Sequence, residues 1–327
     1  ENDNGRRHNV VMKQLIKFNL KEFTHELKFH VELYCSSLRF TKDDYRMPVG
    51  KFTLTDNTCT TMVPQLLFVA KDEQRTHPQS NASIGPKQNY FMCLPTLQYD
   101  GDKYLELYAK STSAVVNSLV QICLRLYVLQ QKMNYMHRDF HTGNIMCIVR
   151  SQQPPQAPTA TSQVRSVDAA FPSSMQVEWY IIDYGFSRAL LPKKGNRRKK
   201  IFQLGSKMYG KKREYNRGHD MRMLFFNLLT YCYAFEHSLK CYVLHKCYGA
   251  IKYLRNHRKV TATAFHYFYD DVVRMRCPEF YPETIARELL DLRQYQTLPP
   301  FRTTRWNNAC QRDLERKIQA AATATGP

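Results

Sequence analysis

His137-Arg138-Asp139-Phe140-His141-Thr142-Gly143-Asn144, followed farther along by Ile181-Ile182-Asp183-Tyr184-Gly185, is the stretch from which the rest of the chain is read. Two acids and an amide spaced in this way suit phosphoryl transfer. Asp139 can accept the proton of an attacking hydroxyl and Asn144 can hold a magnesium ion. Asp183, at the end of an apolar strand, can hold magnesium against nucleotide phosphates. The apolar runs 145–149 and 177–182 supply short strands flanking both loops. His137 and His141 stand four apart, a spacing that on a helix binds zinc. Arg138, however, occupies the place of the glutamate such a helix carries, and Gly143 favours a loop.

His-Arg-Asp with Asn five residues after the aspartate, then a strand ending in Asp-x-Gly, resembles the catalytic and magnesium-binding loops of eukaryotic protein kinases. Asp183-Tyr184-Gly185, His141 and the Gly143-Asn144 pair are most similar to haspin-like and large-DNA-virus serine/threonine kinases. They are also similar to aminoglycoside and choline kinases, although those small-molecule enzymes usually carry glycine where Arg138 stands. The resemblance implies an α+β, bilobal protein-kinase-like fold. Residues 1–96 would form a small β-rich N-lobe, 97–300 a larger and mainly helical C-lobe, and 301–327 a tail. It further implies ATP and Mg2+ as cofactors, with Asp139, Lys13, Asn144 and Arg138 in catalysis and Asn144 and Asp183 on the metal.

Val10-Val11-Met12-Lys13 resembles the strand whose lysine grips the nucleotide phosphates. Residues 20–38 then read as a helix with Phe23, Leu27, Val31, Tyr34 and Leu38 on one stripe. Glu26 lies near the edge of that stripe and is the expected partner of Lys13, while Glu32 points nearly opposite. A phosphate-covering Gly-rich loop should precede Lys13, yet Gly5 is the one glycine there. Either the first strands of the N-lobe are missing or the nucleotide is covered differently. Two further strands are expected over 62–70 and 90–97, joined by the polar stretch 72–89. The second would lead into the interlobe hinge and set Cys93, Leu94 and Thr96 beside the adenine, with Pro95 lacking a backbone donor.

Apolar spacing over 113–130 predicts a long buried helix under the catalytic loop. Residues 151–176 are rich in Pro, Ser and Gln without periodicity and are expected to be a disordered insertion. From Asp183 to Arg217 the resemblance implies an activation segment, with Ser187, Ser206, Tyr209 and Tyr215 as candidate phosphosites and Arg138 as a partner for such a phosphate. No Ala-Pro-Glu anchor closes the segment. Asp220 in Gly218-His219-Asp220 is expected to brace the catalytic-loop backbone, with an ordinary helix cap as the alternative. A further helix is expected over 282–292.

A net charge of +20 calls for a partner, because charge of one sign steers association with phosphates and acidic surfaces. Between Lys193 and Arg217 stand eleven Lys or Arg against Glu214, a net ten of that charge. The stretch is either a solvated, mobile segment or a contact for an acidic partner or nucleic acid. Ten cysteines without a Cys-x-x-Cys pair imply a reduced, intracellular setting, cytoplasmic or nuclear. The longest apolar run, near 223–235, is too short and interrupted to span a bilayer, so no membrane partner is expected. The expected activity is transfer of the ATP γ-phosphate to a Ser/Thr hydroxyl of a protein substrate. A small-molecule phosphotransferase and a pseudokinase scaffold with a basic nucleic-acid-binding surface are the alternatives.

Overall fold

The computed structural model describes residues 10–14, 20–56, 61–73, 88–151, 164–166, 175–193, 196–203, 215–256 and 277–297. Strand β1 (Val10–Gln14) is followed by helix α1 (Leu20–Ser37) and the hairpin β2 (Arg46–Val49) and β3 (Phe52–Thr55). Gly50, at φ +61°, makes the tight turn of that hairpin, a conformation that a side chain would strain. Strands β4 (Phe68–Glu73) and β5 (Gln88–Pro95) pair antiparallel, and β1 lies along the other edge of β5, giving the sheet order β1-β5-β4. The β4 start at Phe68 is later than the sequence suggests, because Met62 and Val63 go instead into the core.

The chain leaves this sheet at Pro95 and joins a second one within three residues. The Gln98 amide donates to the Cys147 carbonyl at 2.8 Å, and β6 (Tyr99–Asp100) then pairs with β7 (Ile145–Ser151). Helices α2 (Gly101–Tyr108) and α3 (Thr112–Met133) follow. Asp100 caps α2 by accepting from the Lys103 amide at 2.7 Å. Ser111 caps α3, and Asn134, at φ 44°, ends it in the left-handed conformation. α3 is buried along nearly its whole length, its polar residues Asn117, Gln121, Arg125 and Gln130 included. It is also the one helix among the described residues long and apolar enough to cross a membrane; 83% of that stretch is buried inside the fold. The run at 223–235 that looked most apolar in sequence is split between a helix and turns.

β7 pairs antiparallel with β9 (Met175–Ile181), Ile145 facing Ile181. The insertion between them is not without structure. β8 (Val164–Ser166) runs parallel to β3, with Thr53 facing Val164, while 152–163 and 167–174 lie outside the described residues. Next come the hairpin β10 (Arg188–Lys193) and β11 (Asn196–Gln203), then α4 (His219–Leu228), α5 (His237–Asn256) and α6 (Pro282–Leu289). The expected helix at 282–292 stops at Leu289. The protein is thus a mixed α+β structure of small sheets, with α3 through the middle of one large apolar core.

The buried face of α1 differs from the stripe expected. Phe23 is buried, but Val31 is 37% and Leu38 59% exposed. The face turned inward carries Glu26, Phe29, His30, Leu33 and Ser37. α1 is apolar on two sides, and hydrogen bonding decides between them. His30 Nε2 bonds the Pro64 carbonyl at 2.7 Å, and Ser37 Oγ receives the Thr61 hydroxyl at 2.8 Å. Buried polar groups stay buried only with such partners.

Inside the core Arg125 of α3 meets Asp56 at 2.8 Å, with side-chain exposures of 1% and 8%, and also bonds the Trp179 carbonyl at 3.3 Å. Asp56→Ala leaves that guanidinium charged and buried without its carboxylate, so denaturant unfolding should show a loss of about 3–5 kcal/mol. Replacing both residues by apolar ones should recover much of it. A single-variant loss below about 1 kcal/mol, the value of an exposed pair, would contradict the burial.

Candidate active site

Beyond Asn134 the chain doubles back beneath α3, and Met136 exchanges two backbone hydrogen bonds with Arg188, at 2.8 and 2.7 Å. The loop 137–144 begins there. Arg138 sits at φ 70°, a strained value for a side chain of its size; its amide and that of His137 point to the same side. Both donate to one carboxylate: His137 N to Asp220 Oδ2 at 2.9 Å and Arg138 N to Asp220 Oδ1 at 3.0 Å. Asp220 is fully buried in the first turn of α4. With both oxygens spent on the loop, it braces that loop rather than capping its own helix. Burial pushes its carboxyl up to about 6, although the two amides and Arg138 pull it down.

His137 is buried, and its ring does two jobs. Nδ1 accepts from the Asp139 amide at 3.3 Å and Nε2 donates to the Ile182 carbonyl at 2.9 Å. Burial holds its pKa below the usual histidine value, which fits the neutral Nε2–H tautomer this pattern requires. With both nitrogens engaged, His137 has no atom left for zinc.

Asn144 Nδ2 donates to the Asp139 carbonyl at 2.9 Å and to Asp139 Oδ2 at 3.2 Å, so Oδ1 is the atom left to bind a cation. The Asn144 carbonyl accepts the Ile182 amide at 3.0 Å, placing Asp183 immediately beside this end of β7. Asp183 is also left-handed, at φ 61°, and its Oδ1 accepts the Gly185 amide at 3.3 Å. A Cβ on Gly185 would stand 3.3 Å from the same oxygen, which favours glycine there. An Asn amide oxygen and an Asp carboxylate are the hard donors that suit magnesium, and Asp139, one quarter exposed, is open to a proton-bearing substrate.

Tyr184 closes this corner from behind. Its hydroxyl donates to the Ile181 carbonyl at 2.7 Å, and its ring packs on Phe29 and His30 of α1 and on His137. Burial, and secondarily the Glu26 carboxylate, push the Tyr184 hydroxyl well above the usual tyrosine value. Glu26, 3% exposed, stands on the inward face of α1. Lys13 lies in β1 opposite Met92; its side chain is outside the described residues. Cys93 and Leu94 are buried, and the Cys93 carbonyl is already taken by the Leu67 amide at 2.9 Å. The Cys93 side chain is therefore turned away from solvent. Thr96 is exposed.

Several residues that hold the loop carry no signal in the sequence. The Thr142 hydroxyl lies within bonding reach of Asp102 in α2 and Asn227 in α4; the Thr142 amide donates to Asn227 Oδ1 at 3.0 Å, and the Tyr231 hydroxyl to Asp102. A Cβ on Gly101 would meet the Thr142 carbonyl at 2.7 Å, so α2 can approach the loop only through glycine.

One candidate phosphosite is inaccessible: Ser187 is fully buried, and its hydroxyl donates to the His137 carbonyl. Tyr215 is half-buried, and its hydroxyl donates to the Gln130 carbonyl at 3.2 Å. Ser206 and Tyr209 lie outside the described residues. The basic stretch opens as the β10–β11 hairpin, with Leu191 opposite Lys200, rather than as an unstructured segment. Its last cation, Arg217, turns inward to Glu283. Compared with models of known protein families and with curated proteins, the chain matches none.

Asp220 takes up a proton on folding between its unfolded value of 3.8 and about 6. Its contribution is full below 3.8 and lost as pH rises through 6. Asp220→Asn cannot titrate, so the stability of the natural chain minus that of the variant should be larger at pH 4 than at pH 7 in urea unfolding. A difference that grows toward pH 7 would show that the carboxyl is not held up by burial.

Proposed function

We propose that this chain is an ATP- and magnesium-dependent protein kinase with a bilobal, kinase-like fold, transferring the γ-phosphate to a Ser/Thr hydroxyl of a protein substrate. The observation that carries this reading is the convergence of Asp139, Asn144 and Asp183 at the adjoining ends of β7 and β9, with the loop braced by an aspartate 83 residues away in sequence. The β1-β5-β4 sheet, joined to the helical remainder through residues 96–98, supports the two-lobed arrangement.

In this reading Asp139 orients the acceptor hydroxyl and takes its proton, while Asn144 holds the Asp139 carboxylate in place through Nδ2. Asn144 Oδ1 and Asp183 bind the cation, and Lys13, backed by Glu26, meets the α- and β-phosphates. Magnesium-bound ATP would supply the transferable phosphoryl group and the metal charge that neutralises it. Catalysis is then largely positioning and electrostatics, which is what a braced, strained loop provides.

Transfer from radiolabelled ATP to protein should require magnesium and fall at least about a hundredfold in Asp139→Asn and in Asp183→Asn. Label on a sugar, amino alcohol or nucleoside but not on protein would make the chain a small-molecule phosphotransferase. No transfer by folded protein to either class would make it a scaffold. The stretch between Lys193 and Arg217 is the proposed contact for an acidic substrate. Reversing Arg197, Arg198, Lys199 and Lys200 to glutamate should raise KM for an acidic protein about tenfold while leaving kcat in place. Salt-sensitive nucleic-acid affinity that disappears in the same variant would assign the surface to nucleic acid instead.

A further inference from the structure

We infer that Arg217 is a positioning residue for the catalytic loop, and that its ion pair with Glu283 anchors the end of the segment following Asp183. The role assigned to the loop rests on the phosphotransfer reading above; the anchor itself rests on geometry. Arg217 Nη2 lies 2.8 Å from each carboxylate oxygen of Glu283, in the first turn of α6. Its guanidinium is sandwiched between the rings of Tyr281, at 4.8 Å, and Tyr127 of α3, at 5.5 Å. A partly buried cation with a two-oxygen partner and two aromatic faces is held far more firmly than a solvent-exposed pair. By sequence Arg217 is merely the last charge of a basic run; by structure it is partly buried and paired with Glu283.

The backbone around it is fastened as well. The Arg217 carbonyl accepts from Gln130 Nε2 at 2.9 Å, and the Asn216 amide approaches Met136 Sδ at 3.2 Å. Gly218 lies so close to Cys277 that a Cβ would meet its carbonyl oxygen at 2.4 Å. Three residues beyond Arg217 comes Asp220, which holds the amides of His137 and Arg138. A shift at Arg217 therefore passes through Asp220 to Asp139 over a short, buried path. Where an Ala-Pro-Glu motif would offer a carboxylate from the segment, this chain offers a guanidinium, and α6 supplies the acid.

The test compares Arg217→Ala, Glu283→Ala and the double variant in the full chain. Each single change should lower kcat by about ten- to a hundredfold while KM for ATP stays within about twofold, since the anchor acts through the loop that carries Asp139. The double variant should fall no further than the worse single one, because both remove the same pair. Unchanged kcat, or losses that multiply, would overturn the inference. Amide exchange supplies a readout independent of activity. In Arg217→Ala, and in the milder Arg217→Lys, the His137 and Arg138 amides should exchange faster while those in the middle of α3 do not. Equal acceleration in α3, or none at the loop, would also overturn it. If the natural chain transfers no phosphate, the functional reading fails, and the exchange result still decides the anchor.

Discussion

One buried carboxylate carries the loop 137–144. Asp220 takes the amide hydrogens of both His137 and Arg138, and no second pair of acceptors could replace it without rebuilding the turn. A hydrogen bond to a charged group is worth about 1.5–3 kcal/mol, and two are needed here. Arg138 is held left-handed, and the carboxylate itself is kept from water at a cost that burial makes visible in its raised pKa. Residues held in this backbone region cost roughly 1–3 kcal/mol each and persist only where their surroundings leave no other choice. Asp220 is that constraint for Arg138. For Asp183 it is the combination of the Gly185 amide, the Tyr184 hydroxyl and the packing of α1.

The rest of the molecule can be understood as support for this arrangement. α3 fills the core and delivers the chain to the loop, while β7 and β9 bring Asn144 and Asp183 side by side. α2 and α4 hold Thr142 from below. α1 lies against Tyr184 with Glu26 on its inward face, so movement of α1 would be felt at the Asp183 turn. Arg217 pins the far end of the same segment. Strain at Arg138 and Asp183 is therefore confined between packed elements, and Asp139, Asn144 and Asp183 are held close together.

How much of this could be read from sequence depends on whether the signal is local. The loop residues, Asp183-Tyr184-Gly185 and the α3 periodicity are short contiguous patterns, and the structure brings the first two together on the third. Asp220 was legible because Gly218-His219-Asp220 directly precedes an apolar run. The face of α1 was misread because Leu27, Val31 and Leu38 form a convincing stripe, whereas the buried side mixes Phe29 and Leu33 with Glu26 and His30. Only the partners of those polar residues, Pro64 among them, reveal which face turns inward. Asp102, Asn227 and Tyr231 are ordinary residue types far apart in sequence, and Arg217 was hidden in a run of like charges. Such long-range polar pairs have no periodicity to betray them. β8 was missed for a related reason: three residues paired parallel to β3 leave no pattern of their own.

The central claim is that Asn144 and Asp183 form a cation site completed by nucleotide. Manganese, as a paramagnetic substitute for magnesium, reports this directly by electron paramagnetic resonance in the presence of a non-hydrolysable ATP analogue. Saturable, nucleotide-dependent binding that is lost in Asp183→Asn, weakened in Asn144→Ala and retained in Asp139→Asn is the predicted result. Binding that ignores nucleotide, or that survives loss of Asp183 unchanged, would contradict the account.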